Sequence, residues 1–189
     1  MKPHAITVGP GRSLDITCPD TLAIQIDDIA LSLSRKCRFG GFTREWFSVA
    51  QHSWNVAMHL RAFGATPVVQ LQGLMHDAQE AYLGDVATPL KPVIHGFHEI
   101  EEHLQSVVFD RFGIPWPLDS KVKAVDELML HAEADRLLPR PAPDWVKPGL
   151  GVSAMCDLSG WTHVKAHHKF LDLFYSLIKE IHREDPQRA

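Results

Sequence analysis

The side chains best suited to chemistry crowd into one stretch, residues 73–91, which contains His76-Asp77, Glu80, Gly84-Asp85, Thr88-Pro89 and Lys91. The stretch starts as an apolar helix and is then interrupted by titratable groups. Neighbouring helical side chains point about 100° apart. His76 and Asp77 therefore reach a common point only if it lies between their directions, and a metal ion meets that condition. Glu80, one turn on, falls on the same face. Buried without partners, these groups would cost several kcal/mol, so a metal or a polar network must compensate them. An amphipathic helix with a polar face is the plainer alternative. The helix is predicted from Thr66-Pro67, a cap followed by a proline at the first helical position, to Gly84. Gly84 and Pro89 close it.

Two more helices offer partners. Ser48 is a good N-cap for a helix over 49–63, with Gln51 at the third position as in a capping box. His52 lies in its first turn. A lone His on an apolar helix is more often an ordinary core or surface residue, and only partners elsewhere make it a ligand. A long helix over 121–138 carries Asp126 among Val125, Leu128 and Met129, where a free carboxylate would be costly. Glu133 and Asp135 on that helix are the alternatives. His52, His76, Asp77 and Asp126 form a two-His, two-carboxylate set for one divalent ion: Co, Mn, Zn or Fe, with Mg possible. Such an ion lowers the pKa of a water it binds and polarises phosphoryl oxygen. Arg38-Phe39-Gly40-Gly41 reads equally as an anion-contact loop or as a glycine helix stop beside a surface Arg.

A chain of 189 residues suits one domain, with 45% hydrophobic and 22% charged residues, as in an ordinary globular protein. A net charge of −4 argues against a nucleic-acid polymer or an anionic membrane as partner. It leaves room for a small anion held by a few local cations. Three separated Cys without a CxxC pair suggest neither a disulfide framework nor a Cys-rich zinc site. A reducing, cytoplasmic setting is expected, with no signal pattern and no run of about 18 apolar residues. Twelve His residues make His-ligated metal worth testing.

The pattern predicts an all-α bundle of about six helices over 29–37, 49–63, 66–84, 97–112, 121–138 and about 160–184, behind a short N-terminal arm or hairpin. Asp27 and Asp28 cap or charge the first helix. Residues 139–159, rich in Pro and Gly, read as a long surface loop, with Trp145 as a packing anchor. Phe170, Leu173, Phe174, Leu177 and Ile178 stripe the last helix, which is expected to pack on the motif-bearing core of 26–138. The end beyond residue 181 is polar and expected to fray.

The order His52, His76-Asp77, Asp126 resembles the HD-domain metal-dependent phosphohydrolases. The likeness extends to the bacterial 5′-deoxynucleotidase branch and its phage dATP triphosphohydrolase relatives. Arg38, Ser48-Val49-Ala50-Gln51-His52-Ser53, His76-Asp77-Ala78-Gln79-Glu80, and Gly84-Asp85 through Thr88-Pro89-Leu90-Lys91 carry it. The resemblance implies an HD-type bundle. His52, His76, Asp77 and Asp126 would hold the metal, and Glu80 would orient or activate the attacking water. Asp85 would be a second acid–base or sugar-contacting carboxylate, and Arg38, Phe39, Thr88 and Lys91 would face the substrate. It further implies a homo-oligomer, dimer or higher, acting on a 5′-(deoxy)nucleoside monophosphate. Two alternatives are a dNTP triphosphohydrolase and an inactive nucleotide-binding scaffold. The deoxynucleotidases have Trp where this chain has Phe39, so sugar and base preference need not carry over. Trp46 is a candidate for the missing aromatic surface.

Overall fold

The computed structural model describes residues 4–140 and 142–184. The N-terminal arm is a hairpin of β1 (Ala5–Gly9) and β2 (Arg12–Asp15), antiparallel, with Ile6 opposite Leu14. Leu14 is fully buried and pins the hairpin to the helices. Arg12 ion-pairs with Asp28 at 2.5 Å. Helix α1 (Ile26–Ser34) starts three residues before its predicted boundary, and Gln25 at its N-cap position makes no side-chain cap bond. Asp27 and Asp28 lie inside the first turn, where their charge complements the helix dipole.

The bundle is built around α2 (Val49–Ala62), which packs against α1, α3 (Pro67–Met75), α6 (Ser120–Leu137) and α7 (His163–Glu184). Ser48 caps α2 by accepting from the Gln51 amide at 3.2 Å. The reciprocal half of the capping box is absent, because the Gln51 side chain reaches across to the segment before α7 instead. On α7, Ala166, Phe170, Leu173, Phe174 and Leu177 are buried against α1, α2 and α3, so the apolar stripe completes the core. Truncating a fully buried Phe such as Phe170 to Ala would cost about 3–5 kcal/mol. Helix α7 continues to Glu184, and the polar residues 185–189 lie outside the described residues.

The central stretch departs from the predicted single helix. Regular α-helical bonding ends at Met75, and a single further turn, α4 (Glu80–Leu83), precedes Gly84. Between them the amides of Ala78, Glu80 and Ala81 bond three residues back, at 3.0, 3.0 and 3.2 Å. Gln105 on α5 (Phe97–Arg111) holds this break. Its amide nitrogen donates to the Met75 carbonyl at 2.8 Å, and its oxygen accepts from the Gln79 amide at 3.1 Å. Winding at about three residues per turn brings Glu80 over Asp77 rather than between Asp77 and His76.

Gly84, at φ 90°, then turns the chain out of α4 into the 85–91 segment, a backbone conformation that suits glycine. Among the described residues, no helix is long and apolar enough to cross a membrane.

Candidate metal centre and active-site cleft

Three helices bring the predicted ligands to one point. Gly73 sets how closely α3 approaches α2: a Cβ there would stand 2.5 Å from Leu60 Cδ1 and 3.3 Å from Val56 Cγ1. The close approach leaves His52 Nε2 3.3 Å from His76 Nε2. Asp126 Oδ1, from α6, lies 3.0 Å from His52 Nε2 and 3.6 Å from His76 Nε2. Asp77 Oδ2 lies 3.2 Å from His76 Nε2 and 3.7 Å from His52 Nε2. Donor atoms about 2.0–2.1 Å from one ion stand about 3.0 Å apart when cis-octahedral and about 3.4 Å apart when tetrahedral. The five measured separations bracket those values. The buried His52/His76/Asp126 cluster, whose donor atoms all lie within 4.8 Å of one another, could hold a metal ion, and the Asp77 carboxylate stands beside both rings.

The other nitrogen of each ring decides which face is free. His52 Nδ1 donates to Glu133 Oε1 at 2.8 Å, and His76 Nδ1 donates to the Gly73 carbonyl at 2.8 Å. Both Nε2 atoms are thereby left to present lone pairs to each other and to carboxylates, which repel unless a proton or a cation sits among them. Burial disfavours the charged form of His76, but Asp77 and Asp126 outweigh it and raise its pKa well above the usual value. Burial and Arg38 likewise oppose protonation of His52, while Glu133 and Asp126 raise its pKa. Asp126 is shifted well below the normal carboxylate range, because hydrogen bonds to His52 and His76 overcome its desolvation.

Asp126 does not sit in the closed apolar surround expected of it. Its side chain is 42% exposed and enters the cluster from the cleft mouth. Two turns on, Glu133 is fully buried and binds both His52 and Arg38. It therefore fixes the orientation of His52, as a carboxylate commonly does for a histidine that binds metal. The sequence weighed Glu133 only as an alternative ligand. Its contact with His52 spans 81 residues and leaves no local signal. Asp135 pairs with Arg140 instead.

Of the predicted catalytic carboxylates, Glu80 is buried, and its Oε2 has no hydrogen-bond partner among the described residues. Burial, reinforced by Asp77 and Asp85, pushes its pKa up to about 9, and a cation nearby would pull it back down. Asp85 is raised too, by desolvation and then Asp77, against the opposing pull of Arg38. Arg38 is mostly buried, its guanidinium 3.2 Å from Glu133 and its carbon 5.3 Å from the Phe39 ring centroid. Desolvation opposes its charge, but Glu133, Asp77, Asp126 and Asp85 hold it firmly protonated. Phe39 takes a left-handed backbone (φ 55°, ψ 31°), a strain of about 1–3 kcal/mol that neighbouring structure must sustain. Lys91 pairs with Glu101 at 2.7 Å.

Two cavities flank the cluster and share Thr88. One, of about 650 Å³, is lined by His76, Asp77, Lys91, Lys123 and Asp126 among others. The second, of about 470 Å³, is lined by Arg38, Phe39, Asp85, Leu130, Leu138 and Trp145 among others. All ten predicted metal, catalytic and substrate residues thus fall in or beside this double cleft. Trp46 lies elsewhere, beside Trp161, and lines neither cavity.

No protein-family model matches the chain. It is 32% identical over 155 residues to the uncharacterized protein YfdR of Escherichia coli, covering 82% of this chain and 84% of that one. It is also 36% identical over 162 residues to an uncharacterized protein of Rhodobacter capsulatus, covering 75% of this chain and 82% of that one. By this likeness the chain belongs to the family of YfdR.

Proposed function

We propose that this chain is an HD-type metal-dependent phosphohydrolase that converts a 5′-(deoxy)nucleoside monophosphate to nucleoside and phosphate. The convergence of His52, His76 and Asp126, with Asp77 against both rings, carries the reading, because lone pairs so placed make a stable arrangement only around a positive charge. Those four residues would hold one divalent ion. When bound, it supplies Lewis acidity to a phosphoryl oxygen and lowers the pKa of a water it binds. Two imidazoles and two carboxylates suit Mn, Co, Fe or Zn.

The protein's own residues do the rest. Glu80, stacked over Asp77 one tight turn later, holds and deprotonates the attacking water. Asp85, on the loop beyond Gly84, faces the leaving oxygen or the sugar. Arg38 and Lys91 bring positive charge toward the phosphate. Each is also tied to a carboxylate, Glu133 or Glu101, which fixes its position before substrate arrives. The resemblance to the HD-domain phosphohydrolases also suggests a homo-oligomer, and the three separated Cys suggest a cytoplasmic setting.

The test is metal analysis of the purified protein followed by product analysis with dAMP and dATP under several divalent ions. Release of inorganic phosphate from dAMP supports the reading. Release of triphosphate from dATP would make the chain a triphosphohydrolase, and inertness toward both with metal bound would leave a binding scaffold.

A further inference from the structure

Resting on that reading, we infer that the cavity walled by Phe39 and Trp145 is a nucleobase subsite, and that Trp145 sets its affinity. The cavity, of about 470 Å³, falls within the ~300–1,000 Å³ range of small-molecule sites. Its lining is graded. Arg38, Asp85 and Thr88 are polar, whereas Phe39, Leu138 and Trp145 are apolar or aromatic. Thr88 also lines the cavity beside His76 and Asp126, so the polar end adjoins the metal cluster. A 5′-nucleotide has the same order of chemistry: an anion, a hydroxylated sugar, then a flat ring with apolar faces.

Two further features favour a planar occupant. Phe39 is held in a left-handed conformation, which an aromatic residue adopts only where its surroundings impose it. Its ring packs with Ala134, Leu138 and Val146, which keeps it at the cavity wall. Trp145 is 49% exposed although its segment is anchored: Val146 beside it is buried, and the Lys147 amide donates to His131 Nδ1 at 3.4 Å. A large, half-exposed indole on a fixed backbone is a ready stacking face, and stacking tolerates any base.

The experiment compares wild type, Trp145→Ala and Trp145→Phe on dAMP and on deoxyribose 5-phosphate, which lacks the base. Thermal midpoints confirm that each variant folds. Trp145→Ala should raise the KM for dAMP relative to that for deoxyribose 5-phosphate roughly 10-fold, the scale of one lost base–aromatic stack. Trp145→Phe should restore most of that ratio. An unchanged ratio in Trp145→Ala overturns the subsite while leaving the phosphohydrolase reading intact.

If wild type hydrolyses neither compound, the hydrolase reading fails on its own. Calorimetric titration with deoxyadenosine then decides the subsite. Heat of binding seen with wild type and lost in Trp145→Ala supports it. Equal heats, or none from either protein, overturn it.

Discussion

Helix α2 buries polar residues on two sides, and the two sides behave differently. On one, Gln51 and Asn55 meet the 155–161 segment. Asn55 donates to the Asp157 carbonyl at 2.9 Å and accepts from the Asp157 amide at 2.9 Å. Gln51 donates to the carbonyls of Asp157 and Ser159 and accepts from the Trp161 amide. Both side-chain amides find backbone donors and acceptors there, so this side is satisfied within the protein itself. On the other side His52 faces His76, Asp77 and Asp126, a group of lone pairs and negative charges aimed at one another. That group is complete only with added positive charge, a proton or a metal ion. Burial and polarity alone do not separate structural from functional residues. Whether the partners satisfy one another does.

This contrast predicts opposite phenotypes for the two sides. The largest effect is expected at the open side: His76→Ala or Asp77→Ala should abolish bound metal and activity while circular dichroism still reports a helical protein. Metal analysis with full occupancy in both variants would remove the site. Next come Glu80→Ala and Asp85→Ala, which should keep the metal but lose kcat by roughly 10²–10⁴-fold, the range of positioned acid–base groups. Steady-state kinetics on preparations of known metal content will show it, and an unchanged kcat in both would refute their roles.

Glu133 lies between the two behaviours, since it is closed toward Arg38 and serves the open cluster through His52. Glu133→Gln should weaken metal affinity about 10–100-fold, as loss of an orienting carboxylate does. Glu133→Ala should also destabilise the fold by about 3–5 kcal/mol, because the Arg38 charge is left buried and unpaired. Metal titration and denaturant unfolding separate the two effects. Wild-type metal content in Asp126→Asn together with its loss in Glu133→Gln would reverse the assignment of ligand and support along α6.

Much of this could be read before the structure, and the exceptions share a cause. Capping residues and apolar spacing located α2, α5 and α6 to within a residue or two at each end. The adjacent His76-Asp77 pair and the 84–91 segment are local in sequence, so their types announced themselves. The break after Met75 was not legible, because Gln105, on a different helix, stabilises it. Glu133 was ambiguous for the same reason, its partners lying on α2 and beside Phe39. Asp126 was chosen for its apolar neighbours, yet it stands at a partly open mouth. Helical periodicity gives a residue's direction around the axis and says little about its depth.

At the closed side, Asn55→Ala should leave both metal content and kcat at wild-type levels. It takes the acceptor from the Asp157 amide, while the Asp157 carbonyl keeps Gln51, and about 1–3 kcal/mol is expected. For a chain of this length, each kcal/mol corresponds to about 2–4 °C in the thermal midpoint. A loss of metal in this variant would mean that the two sides of α2 are not independent.

The smallest effect concerns the carboxylate of Asp157, which reports the closed side through pH. Its Oδ1 accepts from the Ser159 amide at 2.9 Å and its Oδ2 from the Trp161 indole at 2.6 Å. Desolvation works against the charge, but these bonds prevail and lower its pKa to about 2. A carboxylate whose folded pKa is depressed stabilises the fold above its unfolded pKa, about 3.9, and loses that contribution as pH falls toward the folded value. Asp157→Asn removes the titration. The thermal midpoint of wild type should therefore exceed that of the variant at pH 6, and the gap should close between about pH 4 and pH 2. The side chain is 36% exposed, so solvent screens it, and the gap should stay below the few degrees expected for Asn55→Ala. A gap that is constant across this range would show that the carboxylate's charge contributes nothing to holding the 157–161 segment on α2.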